Sequence, residues 1–226
     1  MEKKESRKKE NNLEAKISEK PIKIGGFSIR IFGLIKFLLG VCLLPFVYSA
    51  SISFLNEFGV IEKAMQNYFW SGLITLVIVY LFIWEPAIIY TKGQKILEII
   101  FAFFKPLVRV APYLLPIYTL ILFMAYWVLS FIWKSPNLVN YFLFLFGFTL
   151  GLHLIFSAKS IRSKQQGFLK ANYIFGFSFI YIVNLIFICF FLNLIFEKFS
   201  VVNFFNNSFQ AATSIFSTVF KQLFLG

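Results

Sequence analysis

The chain has 226 residues, of which 59% are hydrophobic, 21% aromatic and only 14% charged, with a net charge of +12. That much apolar surface cannot be hidden inside a soluble domain of this length, so the surrounding solvent is lipid. The positive charge sits in short stretches between apolar runs, which membrane threading explains and nucleic-acid binding does not.

All acidic residues are Glu, which excludes an aspartyl intramembrane protease, and the single histidine excludes an HExxH zinc site. Cys42 and Cys189 are too few for a disulfide framework and fall at different expected depths. No cofactor, metal or catalytic signature stands out. The composition points to an all-α, polytopic helical membrane protein with about five transmembrane helices and amphipathic surface helices.

Residues 1–24 read as a disordered, basic cytoplasmic tail, rich in Lys and Glu and without an apolar period. Residues 25–36 form an interfacial approach in which Arg30 and Lys36 can snorkel. Residues 25–200 are expected to hold the five-helix transmembrane domain. The first span is expected at 37–55. It reads as retained rather than as a signal peptide, because the charged head is far longer than a usual n-region. The next spans are expected at 68–89, 113–133, 138–157 and 173–196. Trp70, Trp84, Trp127 and Trp133 fall near their ends, as an aromatic belt requires.

The loops alternate in charge. The head carries Lys3, Lys4, Arg7, Lys8, Lys9, Lys16, Lys20 and Lys23. The loop at 56–67 has only Lys63, beside Glu57 and Glu62; the loop at 90–112 has Lys92, Lys95, Lys105 and Arg109. Lys134 stands alone in the next, and Lys159, Arg162, Lys164 and Lys170 follow at 158–172. The positive-inside rule then puts the N-terminus in the cytoplasm and the C-terminus outside a cell (inner) membrane.

Between the spans, residues 93–110 suggest an amphipathic helix. Lys95, Glu98, Ala102, Lys105 and Arg109 recur at spacings of three and four, facing anionic lipid on the cytoplasmic side. Residues 201–226 suggest a second amphipathic helix, lying on the outer side. It would dock through Phe205, Phe209, Phe216 and Leu223, against the interface or a protein partner. Its opposite face, with Asn206, Gln210, Thr213, Ser214, Ser217 and Lys221, is nearly uncharged. A sixth span there would bury many amides and hydroxyls.

Few polar groups lie inside the expected spans. Gly147 and Gly151 form a GxxxG pair suited to close helix approach, and Asn184 is placed to hydrogen-bond across helices. Glu85 and His153 lie at similar expected depth, so an intramembrane polar cluster of Glu85, His153, Arg109 and Lys36 is expected. The chain reads as a non-enzymatic subunit, scaffold or accessory component of a membrane complex. The alternative is a small transporter or channel component built on Glu85 and His153.

Overall fold

The structure, a computed structural model, describes residues 26–83, 85–104, 108, 110–133, 135, 137–163 and 173–224. The expected 1–24 tail, Arg109 and most of the 158–172 loop lie outside the described residues. Every regular element among the described residues is helical: α1 Gly26–Phe58, α2 Lys63–Ile78, α3 Ala87–Ile100, α4 Ala111–Leu114, α5 Ile117–Ile132, α6 Leu138–Ser163, α7 Tyr173–Ile195 and α8 Val201–Phe224. A π-helical turn, Val79–Ile83, extends α2.

Four segments are long and apolar enough to cross a membrane: Gly33–Phe58, Lys63–Ile83, Leu138–Arg162 and Tyr173–Ile195. The shorter apolar helix α5 accompanies them. The chain is therefore a helical, multi-pass membrane protein. Most of its large apolar side chains on the outer faces are exposed, as lipid-facing residues must be.

Residue pairing fixes how the helices run. Gly72 of α2 lies against Phe144 of α6, Tyr80 against Phe156, and Glu85 against Lys159, so α2 and α6 are parallel. Two parallel crossings need an odd number of returns between them, and α5 supplies one. Thr119 meets Thr149 and Tyr126 meets Phe142, so α5 runs antiparallel to α6. Gly40 against Phe175, with Ser51 against Tyr181, sets α1 and α7 parallel.

The closest contact in the bundle is between α2 and α6. A Cβ added at Gly72 would lie 1.9 Å from the Phe144 carbonyl oxygen, and one at Gly147 would lie 2.2 Å from that of Phe69. Side chains at either position would push the two backbones apart. Gly151 continues the contact against Leu76 and Leu73. Without a hydrophobic drive between helices in lipid, such close van der Waals approach is what holds them together. Around it Phe58, Phe69, Phe142, Phe146 and Phe191 fill the main core.

The element boundaries depart from the sequence reading in four places. The interfacial approach is not separate, since α1 is continuous from Gly26. The second span ends at Ile83, short of the expected residue 89; Pro86 lacks the N–H that would continue the ladder, and α3 restarts at Ala87. The amphipathic stretch expected at 93–110 belongs to α3, which stops at Ile100 and gives way to turns. The third span is broken: α4 ends at Leu114, and α5 begins after Pro116.

The fifth difference concerns α8. It does not lie across the outer surface. Ser200 caps it through an Asn203 N–H to Ser200 Oγ bond of 3.2 Å, and Asn193 Oδ1 accepts the Val201 N–H at 3.0 Å. The Ser200 N–H also reaches Glu57 at 3.4 Å, at the end of α1. From there α8 runs back along α1, where the Phe216 ring meets that of Phe46 at 5.6 Å and a 54° tilt in the middle of that span. The end of α8 therefore returns toward the level at which α1 begins. Helical periodicity in a sequence defines an apolar face, but not the surface that covers it.

Candidate functional site

The polar groups inside the bundle gather at the break in the third segment. Pro116 has no N–H, and the Ile117 N–H bonds back to the Leu115 carbonyl at 3.0 Å. The carbonyls of Tyr113 and Leu114 are thereby denied the helical partners a continuous span would give them. In lipid each orphan would cost several kcal/mol.

Neighbouring helices satisfy both. From α6, His153 Nε2 approaches the Tyr113 carbonyl at 3.1 Å, and Ser157 Oγ donates to it at 3.4 Å. A carbonyl only accepts, so that ring nitrogen carries its proton. From α7, Asn184 Nδ2 donates to the Leu114 carbonyl at 3.2 Å and to its own-helix Ile180 carbonyl at 2.9 Å. His153 is 5% and Asn184 1% exposed, so neither bond competes with water.

The network continues outward to α3. Gln94 Nε2 donates to the Tyr90 hydroxyl at 3.0 Å, and Tyr90 is 3.0 Å from Ser157 Oγ. Because Ser157 gives its proton to the Tyr113 carbonyl, Tyr90 donates to Ser157. Burial raises the Tyr90 phenol to about 12, which keeps it protonated for this role. Tyr118 also fastens the two segments, donating to the Ile89 carbonyl at 2.6 Å. The space beside His153 is only about 10 Å³, enough for one water at most.

The expected four-residue cluster is not assembled. Glu85 pairs with Lys159 at the surface, with about half of each side chain exposed (47% and 54%). Lys159 follows His153 by six residues, which turns it about 240° around the helix axis, away from the buried face. Lys36 is buried on α1, a helix that packs on α7 and α8 rather than on α3 or α6. Arg109 lies outside the described residues. Glu85 lies level with Lys159, about 9 Å along α6 from His153 at 1.5 Å per residue, and depth along a span could not give direction around the helix.

The C-terminal residues singled out for docking, Phe205, Phe209, Phe216 and Leu223, are all exposed, and Phe216 also meets Phe46 of α1 in a tilted ring contact. The buried positions of α8 are Phe204 and Ala212. The helix thus meets α1 along a face rotated from the expected stripe. Asn206, Gln210, Thr213, Ser214 and Ser217 are exposed as well.

Sequence reading did not single out Tyr90, Gln94 or Lys159. The signal for the first two was faint: polar groups on an otherwise apolar face of a helix next to a proline break. Cys42 and Cys189 are both free thiols. Among the described residues there is no cluster of three metal-ligating side chains. Comparison of the chain with protein-family models, with curated proteins and with solved structures finds no match.

The arrangement is suited to holding a broken helix together. His153 and Ser157 resemble a nucleophile pair only in proximity (3.3 Å); both are committed to the Tyr113 carbonyl, and among the described residues no carboxylate orients the imidazole.

Proposed function

We propose that this chain is a non-enzymatic subunit or accessory component of a protein complex in the cell (inner) membrane. The observation that carries this reading is the neutral polar face of α8. Asn206, Gln210, Ser214 and Ser217 are exposed on a helix that descends along α1 to the middle of its span. Amides and hydroxyls facing hydrocarbon are costly, and the groups that satisfy them at that depth are those of another helix. A partner chain covering α8 removes that cost and also covers Phe205 and Phe209.

The charge alternation along the loops supports a cytoplasmic N-terminus. With α8 antiparallel to α1, the C-terminal end returns to that same side, where Lys221 adds to the positive charge. On this reading the C-terminus lies on the cytoplasmic side, whereas the charge pattern alone gives an outward one. The basic residues Lys92 and Lys95 of α3 are placed to meet anionic headgroups. The transporter or channel reading draws less support, since Glu85 and His153 are apart and the space beside His153 is about 10 Å³.

A photo-crosslinking residue at Gln210, introduced into the full chain in its native membrane, tests the proposal. The expected result is a discrete protein adduct that disappears when Asn206 and Ser214 are changed to Leu. Adducts with lipid alone would overturn it.

A further inference from the structure

A second polar locus lies away from the Tyr113 network. A cavity of about 220 Å³ sits where α1 and α2 diverge beyond the Phe58–Phe69 ring pair, backed by α6 and α7. Its walls are largely aliphatic and aromatic: Phe54, Leu73, Leu150 and Leu154 are typical. At its rim Leu55 is exposed on the lipid-facing side of α1. The volume exceeds the ~150 Å³ of an apolar cavity that takes up benzene, yet is below the ~300 Å³ at which pockets enclose a whole drug-sized ligand. It suits the head and first part of a chain whose remainder stays in the bilayer.

The polar groups on this wall share one property. Asn184 spends both amide hydrogens on the Leu114 and Ile180 carbonyls, and its Oδ1 is buried with no hydrogen-bond partner. Ser51 Oγ donates to the Val47 carbonyl at 2.7 Å, so the 2.9 Å bond between Ser51 and Tyr181 is donated by Tyr181. The Tyr181 oxygen therefore keeps a lone pair and has no hydrogen left to give. None of Ser51, Asn184 and Tyr181 has a hydrogen left to offer the apolar space, and the Tyr181 oxygen can only accept there. A bound carbonyl, ether or carboxylate would add another acceptor; a hydroxyl supplies the missing donor.

We propose that this cavity binds a single-chain, monohydroxy lipid. It enters sideways from the bilayer between α1 and α2, and its hydroxyl donates to the Tyr181 oxygen. The assignment is independent of the subunit reading, since it concerns the opposite side of α1 from the polar face of α8.

The test uses the full chain in phosphatidylcholine nanodiscs, labelled with a diazirine-bearing dodecanol or with its methyl ether, followed by peptide mapping. Expected is saturable labelling of the α1, α2, α6 and α7 walls that unlabelled dodecanol displaces. The ether should label about threefold to tenfold less, the range one hydrogen bond supports. Leu154→Phe, which fills the cavity, should lower the alcohol labelling at least about fivefold, and Tyr181→Phe should narrow the alcohol preference while leaving the labelled peptides the same. An alcohol-to-ether ratio near one in the unaltered chain, or labelling that Leu154→Phe leaves unchanged, overturns the proposal; the first needs no variant to fold.

Discussion

The break at Pro116 and the outer face of α8 both put polar groups at membrane depth, but they resolve the problem in opposite ways. At the break, the carbonyls of Tyr113 and Leu114 are met by His153, Ser157 and Asn184 from within the same chain. On α8, Asn206 and Gln210 are exposed on the side away from α1. A self-satisfied network holds a fold together, whereas a polar face turned outward acts through what it meets. This difference separates residues whose loss should unfold the chain from residues whose loss should leave it folded and alone.

The strongest test of the first class is at the α2–α6 contact. Gly72→Ala should cost about 1–3 kcal/mol or prevent folding, because the Phe144 backbone cannot yield as a side chain would. Thermal unfolding in detergent should show it, with Gly33→Ala as the control, since nothing lies within 4 Å of a Cβ there. A Gly72→Ala protein as stable as the Gly33→Ala one would remove the close approach from the account.

His153→Leu comes next. It leaves the Tyr113 carbonyl to the longer Ser157 bond, at an expected cost of about 1–3 kcal/mol. Ser157→Ala, which also strands Tyr90, should act in the same direction. If either change abolished an activity without lowering stability, the network would have to be reassigned as chemical.

On α8 the opposite pattern is expected. Asn206→Leu with Gln210→Leu should shift the unfolding temperature of the isolated chain little, within the ~0.5 kcal/mol usual for exposed positions. With the crosslinking residue at Gln210, Asn206→Leu with Ser214→Leu should remove partner adducts in the membrane. A Phe46→Cys, Phe216→Cys double variant in a Cys42→Ser background should be joined by a short bifunctional thiol reagent, as two side chains that face each other across α1 and α8 allow.

The smallest effect belongs to the surface ion pair. Glu85→Gln should cost less than ~1 kcal/mol, no more than Glu62→Gln, because Glu85 and Lys159 are each about half exposed. A larger loss would restore Glu85 to the buried network and blur the distinction.

The apolar runs were enough to place α7 within one residue of its observed bounds and the start of α6 at Leu138, because bilayer thickness sets a length that hydropathy reports directly, whereas α1 begins eleven residues before the expected span. Gly147 was legible as a packing residue from its GxxxG spacing, but its counterpart Gly72 carries no such pattern and appears only when α6 is laid against α2. Asn184 could be read as a cross-helix donor, whereas the identity of its acceptor depended on Pro116 turning the chain aside. The direction of α8 was hidden for another reason. Its polar face argued for water, and packing along α1 leaves no periodic mark of its own in the sequence.

The brevity of α5 reaches beyond the protein itself. Its 16 residues measure about 24 Å at 1.5 Å per residue, against a hydrocarbon core of ~30 Å, while the 26-residue span of α1 measures about 39 Å. The bundle thus offers lipid a short wall and a long one. Beside α5, where Met124, Trp127 and Phe131 are exposed, the bilayer must thin, whereas the longer α1 fits by tilting. Such a wedge is indifferent to headgroup chemistry yet sensitive to acyl-chain length, so membrane thickness itself becomes a variable that decides where this protein settles and how steeply it leans.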